Sequence, residues 1–208
     1  MKRKGFFITF EGAEGSGKST LIHAARRFLQ RKGFKVLILR EPGGTVISEK
    51  IRNILLDRKN SRMTVEAELF LYLAARAQIV REKILPALKQ GRIVICDRYH
   101  DSTMAYQGYA ARLSLKMIES FGKLAKGTLE PHLTILLDVE TKKGLKRGGR
   151  IDRMERKSIL FHKRVRRGFL LLAKKNQGRI VLVRDRGSVR DKSIQIENIL
   201  SKFLELVS

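Results

Sequence analysis

Apolar residues follow two alternating patterns along the chain, short unbroken runs and longer amphipathic stretches. The short runs predict buried strands, because a strand of a parallel sheet is covered by helices on both faces. The longer stretches have the period of helices that bury one face. The predicted strands are Phe6–Glu11, Lys35–Arg40, Arg92–Asp97, His132–Asp138 and Arg179–Arg184.

Helical patterns separate the predicted strands. This alternation predicts an α/β fold, a five-stranded parallel sheet with helices on both faces. Ligands of such sheets bind beyond the carboxyl ends of the strands, so we expect the chemistry there. An interruption or a bend of the long helical stretch is expected near Pro86, which cannot donate a helical hydrogen bond. The predicted helices are Thr20–Leu29, Ile47–Leu56, Val65–Gln90, Ser114–Ala125, Thr141–Arg147, Ser158–Lys175 and Arg190–Val207.

Length and composition indicate a single folded domain of 208 residues, 43% of them hydrophobic. The lone cysteine, Cys96, lies in an apolar run, which favours a buried thiol. The apolar stretch behind the basic N-terminus is too short for a signal peptide, and no apolar run reaches the roughly 18 residues that a membrane span needs. We therefore expect a cytoplasmic protein with no membrane partner.

The formal net charge is +25, and the stretch from Lys142 to Arg190 contains 18 basic and three acidic residues. A basic field attracts anions such as nucleotides and raises their association rates. Nucleic acid and anionic membranes are alternative partners for such a surface. Aromatic residues do not alternate with the basic ones as in many RNA-binding surfaces, so nucleotide attraction or a solvated basic surface is favoured over nucleic-acid binding.

The segment from Gly12 to Ser19 fits the phosphate-binding pattern G-x-x-x-x-G-K-[ST] between a predicted strand and a predicted helix. Glycines let successive N–H groups point at phosphate oxygens, and the helix N-terminus adds partial positive charge. Lys18 is expected to reach the β- and γ-phosphates, with the Ser19 hydroxyl on Mg²⁺. The predicted nucleotide-binding residues are Gly12, Ala13, Glu14, Gly15, Ser16, Gly17, Lys18, Ser19 and Thr20.

Two other polar segments follow predicted strands, Arg40–Thr45 and Asp97–Gln107. Asp97 is a candidate to organise Mg²⁺, because a carboxylate after a hydrophobic strand serves this role in phosphate-loop enzymes. The adjacent Arg98 can bind a phosphate through two parallel hydrogen bonds. Taken alone, a plain turn is the favoured explanation of the first segment, and a strand-end ion pair is the favoured explanation of the second.

A third segment, about residues 147–156, joins paired glycines to several arginines. Phosphoryl transfer needs cations near the oxygens on which negative charge develops, and it needs water excluded. A short arginine-bearing lid would supply both. Composition alone is equally compatible with an ordinary basic loop.

Together these segments closely resemble those of bacterial thymidylate kinases, which transfer the γ-phosphoryl group of ATP to dTMP. The resemblance implies ATP and Mg²⁺ as cofactors and a homodimer formed by long helices such as Val65–Gln90. The matching segments are Phe10–Thr20, Arg40–Thr45, Leu73–Gln78, Asp97–Gln107, Gly144–Arg147 and Asp152–Glu155.

The resemblance also implies roles for individual residues. Glu14 would bind the sugar 3′-hydroxyl, and the Tyr106 ring would lie beneath the deoxyribose. Tyr72 stands where the family usually stacks a phenylalanine on thymine, so here a hydroxyl group is added to the base pocket. Residues assigned to the base are Arg76, Thr103 and Gln107, and those assigned to the monophosphate are Arg52 and Arg98, with Glu41 beside them.

The same resemblance indicates where the catalytic arginine comes from. Some family members have an arginine inside the phosphate loop, whereas this loop has none. The chain therefore resembles the members whose lid supplies this residue, and Arg150 and Arg153 are the candidates. The predicted catalytic set is Lys18, Glu14, Arg98, Arg150 and Arg153.

Two alternatives stay open at this point. A kinase of another nucleoside monophosphate or of a deoxynucleoside would share the loop and fold, although Arg40–Thr45 and Ala105–Gln107 argue against it. A non-catalytic phosphate-loop protein could bind nucleic acid through its basic surface. That protein would be expected to lack Lys18, Asp97 or the lid arginines, all of which are present.

Overall fold

The computed structural model describes residues 4–148 and 152–207. Within them, five strands form one parallel sheet in the order β2-β3-β1-β4-β5. This order confirms the α/β fold class and places the strand before the phosphate loop at the centre. The strands are β1 (Phe6–Glu11), β2 (Val36–Arg40), β3 (Ile93–Asp97), β4 (Leu133–Asp138) and β5 (Ile180–Arg184).

Helices cover both faces of this sheet. Their bounds are α1 (Lys18–Arg31), α2 (Val46–Leu56), α3 (Val65–Ile79), α4 (Leu85–Lys89), α5 (His100–Thr103), α6 (Leu115–Lys126), α7 (Thr141–Gly148), α8 (Ile159–Lys175) and α9 (Val189–Val207). Two segments are π-helical, Val80–Ile84 and Met104–Ala110, and Arg58–Asn60 is a 3₁₀ turn. Among the described residues, no helix has the length and apolar character to cross a membrane.

The core has an apolar layer on each side of β1. Alternate residues Phe6, Ile8 and Phe10 face the side on which α1 and α9 pack. Phe7 faces the other side, in a cluster that includes Cys96. Every β1 side chain is buried, as expected for a central strand with helices on both faces. The prediction that Cys96 is a buried thiol is confirmed, and burial raises its pKa well above the usual value.

Two helical segments refine the sequence-based predictions. The stretch Val65–Gln90 is interrupted near Pro86, one of the two expected alternatives, because the α-helix ends at Ile79 and a π-helical turn precedes Pro86. Proline has no N–H, so the carbonyl group four residues earlier loses its helical partner and the preceding turn widens. The helical segment 100–110 was not predicted, since its buried residues include many polar ones that break the apolar period.

Candidate active site

The phosphate loop joins the end of β1 to the start of α1. Gly15 and Gly17 have φ angles of 64° and 85°, in the left-handed region that favours glycine. A Cβ atom on Gly15 would lie 2.0 Å from the carbonyl oxygen of Gly144, so α7 packs directly on the loop. Gly17 caps the N-terminus of α1, where unpaired backbone N–H groups favour an anion.

Lys18 lies folded over the inside of this loop. Its ammonium group donates to the carbonyl oxygens of Gly12 and Ala13 at 3.1 and 3.3 Å and to Ser16 Oγ at 3.3 Å. Burial lowers the pKa of Lys18, as does the charge of Arg98. The lysine has no carboxylate partner within ion-pair distance among the described residues, which suits a cation whose ligand is a phosphate.

A cavity of about 420 Å³ opens beside the loop at the carboxyl ends of the strands. It brings together predicted residues that are far apart in the sequence, and all of those assigned to the acceptor nucleotide lie in its wall. The predicted residues that line it are Glu14, Gly15, Ser16, Gly17, Lys18, Ser19, Thr20, Glu41, Arg52, Tyr72, Arg76, Asp97, Arg98, Thr103, Tyr106 and Gln107. Gly12 and Ala13 lie in the loop behind this wall.

Arg98, Glu14 and Tyr106 form a bonded group in the wall of the cavity. The Arg98 guanidinium pairs with the Glu14 carboxylate, donates to the carbonyl oxygen of Gly12 at 2.9 Å and lies 5.2 Å from the centre of the Tyr106 ring. The Tyr106 hydroxyl donates to Glu14 Oε1 at 2.6 Å. Burial opposes ionisation of Glu14, but the charges of Arg98 and Lys18 outweigh it and lower the pKa of Glu14. The pair therefore stays ionised, with arginine and carboxylate both in reach of a ligand.

Arg76 is the centre of a second polar group in the cavity wall. Its Nε atom donates to Glu41 Oε2 at 2.7 Å, and Nη1 donates to Thr103 Oγ1 at 3.0 Å. The guanidinium also lies 5.1 Å from the centre of the Tyr99 ring. Burial raises the pKa of Glu41, although the charge of Arg76 opposes this. These contacts hold a 2%-exposed arginine in one orientation at the cavity wall.

Asp97 is the candidate carboxylate ligand of a metal ion. Its Oδ1 atom is buried and receives no hydrogen bond from the described residues, although the residue lines the cavity with Ser19. A buried carboxylate oxygen without a donor fits a cation. The described residues hold no cluster of three or more possible metal ligands. One carboxylate and one hydroxyl suit Mg²⁺, which takes few protein ligands when it binds with substrate phosphates.

The predicted lid residues are only partly described. Arg150 lies outside the described residues. Asp152, Met154 and Glu155 line the cavity, whereas Arg153 does not. Arg153 donates through Nε to the carbonyl oxygen of Leu55 at 2.8 Å, and its Nη2 atom lies 2.6 Å from Glu68 Oε2.

Two buried acids near the site had no individual role in the sequence-based predictions, although Glu11 lies at a predicted strand end, where the chemistry was expected. Glu11 accepts hydrogen bonds from the Tyr99 N–H at 2.8 Å and from Ser102 Oγ at 2.6 Å, and so holds the segment after β3 against β1. Burial and the charge of Asp101 raise the pKa of Glu11 to about 8. Glu68 faces Arg153 and Gln107. Glu11 could have been found from the sequence, because it is a charged residue at the end of a buried strand. Glu68 gives no such signal, because acids are common in the first turn of a helix.

Comparisons with known proteins agree with this architecture. The family model described as thymidylate kinase matches residues 10–196. The thymidylate kinase of Geotalea daltonii is 52% identical over 86% of this chain and 88% of that protein. That of Citrifermentans bemidjiense is 45% identical over 97% of this chain and 93% of that protein. The crystal structure of thymidylate kinase from Ehrlichia chaffeensis has a TM-score of 0.78 at 34% identity, covering 95% of this chain and 99% of that chain. This chain belongs to the thymidylate kinase family.

Proposed function

We propose that this protein transfers the γ-phosphoryl group of ATP to dTMP, giving dTDP and ADP. The observation that carries this proposal is a single cavity that is lined both by the phosphate loop and by Arg98, Arg76 and Tyr72. A donor phosphate and an acceptor phosphate can therefore lie side by side, as phosphoryl transfer requires.

On the donor side, we assign Lys18 to the β- and γ-phosphates. Its bonds to neutral carbonyl oxygens can be exchanged for charge-assisted bonds to phosphate, which are stronger. Ser19 and Asp97 would hold Mg²⁺, and the orphaned Asp97 oxygen supports this assignment. When bound, Mg²⁺ neutralises charge on the β- and γ-phosphates.

On the acceptor side, we assign Arg98 and Arg52 to the dTMP phosphate. One oxygen of this phosphate attacks the γ-phosphorus in line, and the bond to the β-phosphate oxygen breaks, so that ADP leaves. The second pKa of a phosphate monoester is about 6, so the nucleophile is already ionised near neutral pH. This chain then needs no strong general base. We assign Glu14, which pairs with Arg98 and accepts from Tyr106, to accept a hydrogen bond from the sugar 3′-hydroxyl.

We assign Tyr72, Arg76, Thr103 and Gln107 to the thymine base. Tyr72 would stack on the ring, and burial raises the pKa of its phenol, which therefore stays neutral. Arg76 would donate to a thymine carbonyl, since the bonds to Glu41 and Thr103 already fix its orientation. A base pocket with donors fixed before binding favours a ligand with carbonyl acceptors.

Of the two lid arginines, we assign Arg150 to the transferred phosphoryl group and Arg153 to anchoring the lid. The support for this division is the set of contacts that turn Arg153 towards Glu68 and Leu55. Arginines that neutralise charge in phosphoryl transfer contribute about a thousandfold or more to turnover.

We also propose that the protein acts as a cytoplasmic homodimer. Helices α3 and α6 present an exposed apolar surface in which the Phe70 and Phe121 rings lie 5.6 Å apart. Leu124 on the same surface is 80% exposed. Large apolar side chains grouped on a surface are typical of interfaces between subunits. The predicted involvement of Val65–Gln90 is consistent with this position.

The proposed reaction is tested by measuring ADP release from ATP and Mg²⁺ with dTMP, dUMP, dCMP, dGMP, AMP or UMP as acceptor. A clear preference for dTMP is expected. A preference for another monophosphate would contradict the base assignment and leave the phosphate chemistry in place. Absence of turnover with every acceptor would overturn the proposal, and binding to duplex DNA would then be tested on the basic surface.

A further inference from the structure

A buried carboxylate on α3 joins the base pocket to the lid. Glu68 is 1% exposed. Its Oε1 atom accepts from Gln107 Nε2 at 2.8 Å, and its Oε2 atom lies 2.6 Å from Arg153 Nη2 and 3.2 Å from Lys157 Nζ. Gln107 lines the cavity, whereas Glu68 stands behind it.

The chemistry of these groups decides which way the Gln107 amide points. A carboxylate paired with two cations only accepts hydrogen bonds, whereas an amide has a donating NH₂ end and an accepting oxygen end. The NH₂ end must therefore face Glu68. In the part of the chain that the structure describes, we find no donor to the amide oxygen. Glu68 thus leaves the accepting end of Gln107 for a ligand.

We propose that Glu68 is a positioning residue that fixes the Gln107 amide and so selects a pyrimidine with a hydrogen on N3. This inference rests on the proposed function. Thymine carries this hydrogen and can donate it to the Gln107 oxygen. Cytosine has a lone pair on N3, which would face the same oxygen without a hydrogen between them. A polar group that is left without a hydrogen-bond partner weakens the binding of the wrong base more than a missing apolar contact does.

Glu68 has a second role, the neutralisation of Arg153 and Lys157, which any structural anchor would share. Loss of that role lowers stability and the amount of active enzyme for all acceptors alike. The ratio of kcat/KM for two acceptors does not depend on the fraction of active enzyme. This ratio therefore separates the selection of the base from a structural effect.

The first test is Glu68→Gln, assayed with dTMP and dCMP. A glutamine at this position can turn its own NH₂ towards Gln107, which frees the Gln107 amide to flip. We expect the dTMP-to-dCMP ratio of kcat/KM to fall about tenfold, the worth of one oriented hydrogen bond. Glu66→Gln is the matched control, since Glu66 is an exposed acid two residues earlier on α3. Its ratio is expected to stay at the wild-type value.

The second test places Gln107→Ala in the wild-type and Glu68→Gln backgrounds. Gln107→Ala alone should lower the ratio, and Glu68→Gln should lower it no further in that background. Equal effects of Glu68→Gln with and without Gln107 would overturn the inference. So would an unchanged ratio in a Glu68→Gln enzyme whose wild type prefers dTMP, while the proposed function would stand. A wild type that does not phosphorylate dTMP would instead overturn the proposed function and this inference with it.

Discussion

We assign Arg150 to the transferred phosphoryl group and Arg153 to anchoring the lid. The contacts of Arg153 allow the loss of stability in an Arg153→Ala variant to be predicted. Arg153→Ala removes a side chain that is 8% exposed and leaves Lys157 as the one cationic partner of Glu68 among the described residues. Breaking a buried ion pair costs about 3–5 kcal/mol when the remaining charge is uncompensated. Lys157, 3.2 Å from Glu68 Oε2, reduces that cost. The lost bond to the Leu55 carbonyl adds about 1 kcal/mol.

We therefore expect Arg153→Ala to lower the free energy of unfolding by about 3 kcal/mol. For a chain of this length, that corresponds to a fall in Tm of roughly 6–12 °C. Arg150→Ala should have the opposite profile, with little change in Tm and a loss of kcat of about a thousandfold. Arg156→Ala, at an exposed position of the same segment, is the control and should change neither quantity.

The assay pairs calorimetric unfolding with single-turnover rates of ADP formation, both measured below the Tm of the weakest variant. A thousandfold loss of turnover in Arg153→Ala without a change in Tm would refute the reasoning. It would mean that Arg153 leaves Glu68 during the reaction and is itself the residue that neutralises the transferred phosphoryl group.

Three further predictions concern other parts of the molecule. The pKa of Glu11 is about 8 in the folded protein against 4.5 ordinarily, so between these pH values the folded protein keeps a proton that the unfolded chain releases. The free energy of unfolding should therefore fall as pH rises through this range, and Glu11→Gln should flatten the fall measured in urea titrations. An equal slope in both proteins would contradict the prediction. Asp97→Asn should raise the Mg²⁺ concentration needed for half-maximal turnover by about tenfold or more, and an unchanged Mg²⁺ dependence would exclude Asp97 as a metal-binding residue. Phe121→Asp should convert the proposed dimer to monomer in light scattering, whereas Lys116→Asp, at an exposed position of the same helix, should not.

Local sequence patterns were sufficient for the fold class, the phosphate loop and the polar residues at the strand ends, whereas the roles of the base-pocket residues came from the family resemblance. Short apolar runs and amphipathic stretches predicted all five strands, because side-chain period follows directly from backbone geometry. The phosphate loop was also predicted from the sequence, since its backbone requires glycine at particular positions. The clustering of strand-end residues such as Asp97 and Arg98 also followed, because parallel strands end at the same edge.

The orientation of individual side chains required the tertiary structure. Arg98 pairs with Glu14 across 84 positions of sequence, and Gln107 donates to Glu68 across 39. The periodicity of the sequence does not predict such pairs, because they depend on which elements pack together. For the same reason, the sequence made Arg153 a candidate for the cavity, while packing turned it towards Glu68.

What the sequence alone determined is therefore the set of elements and the chemistry at the strand ends, since both follow from local rules of backbone and side-chain type. The strand order decided that β1 lies between β3 and β4, which brings Asp97 and Arg98 beside the phosphate loop. Packing also decided the charge state of Glu11, because a carboxylate far from water and near Asp101 binds a proton more tightly. Burial and long-range pairing are properties of the folded chain, and they convert candidate residues into a site with fixed donors and acceptors.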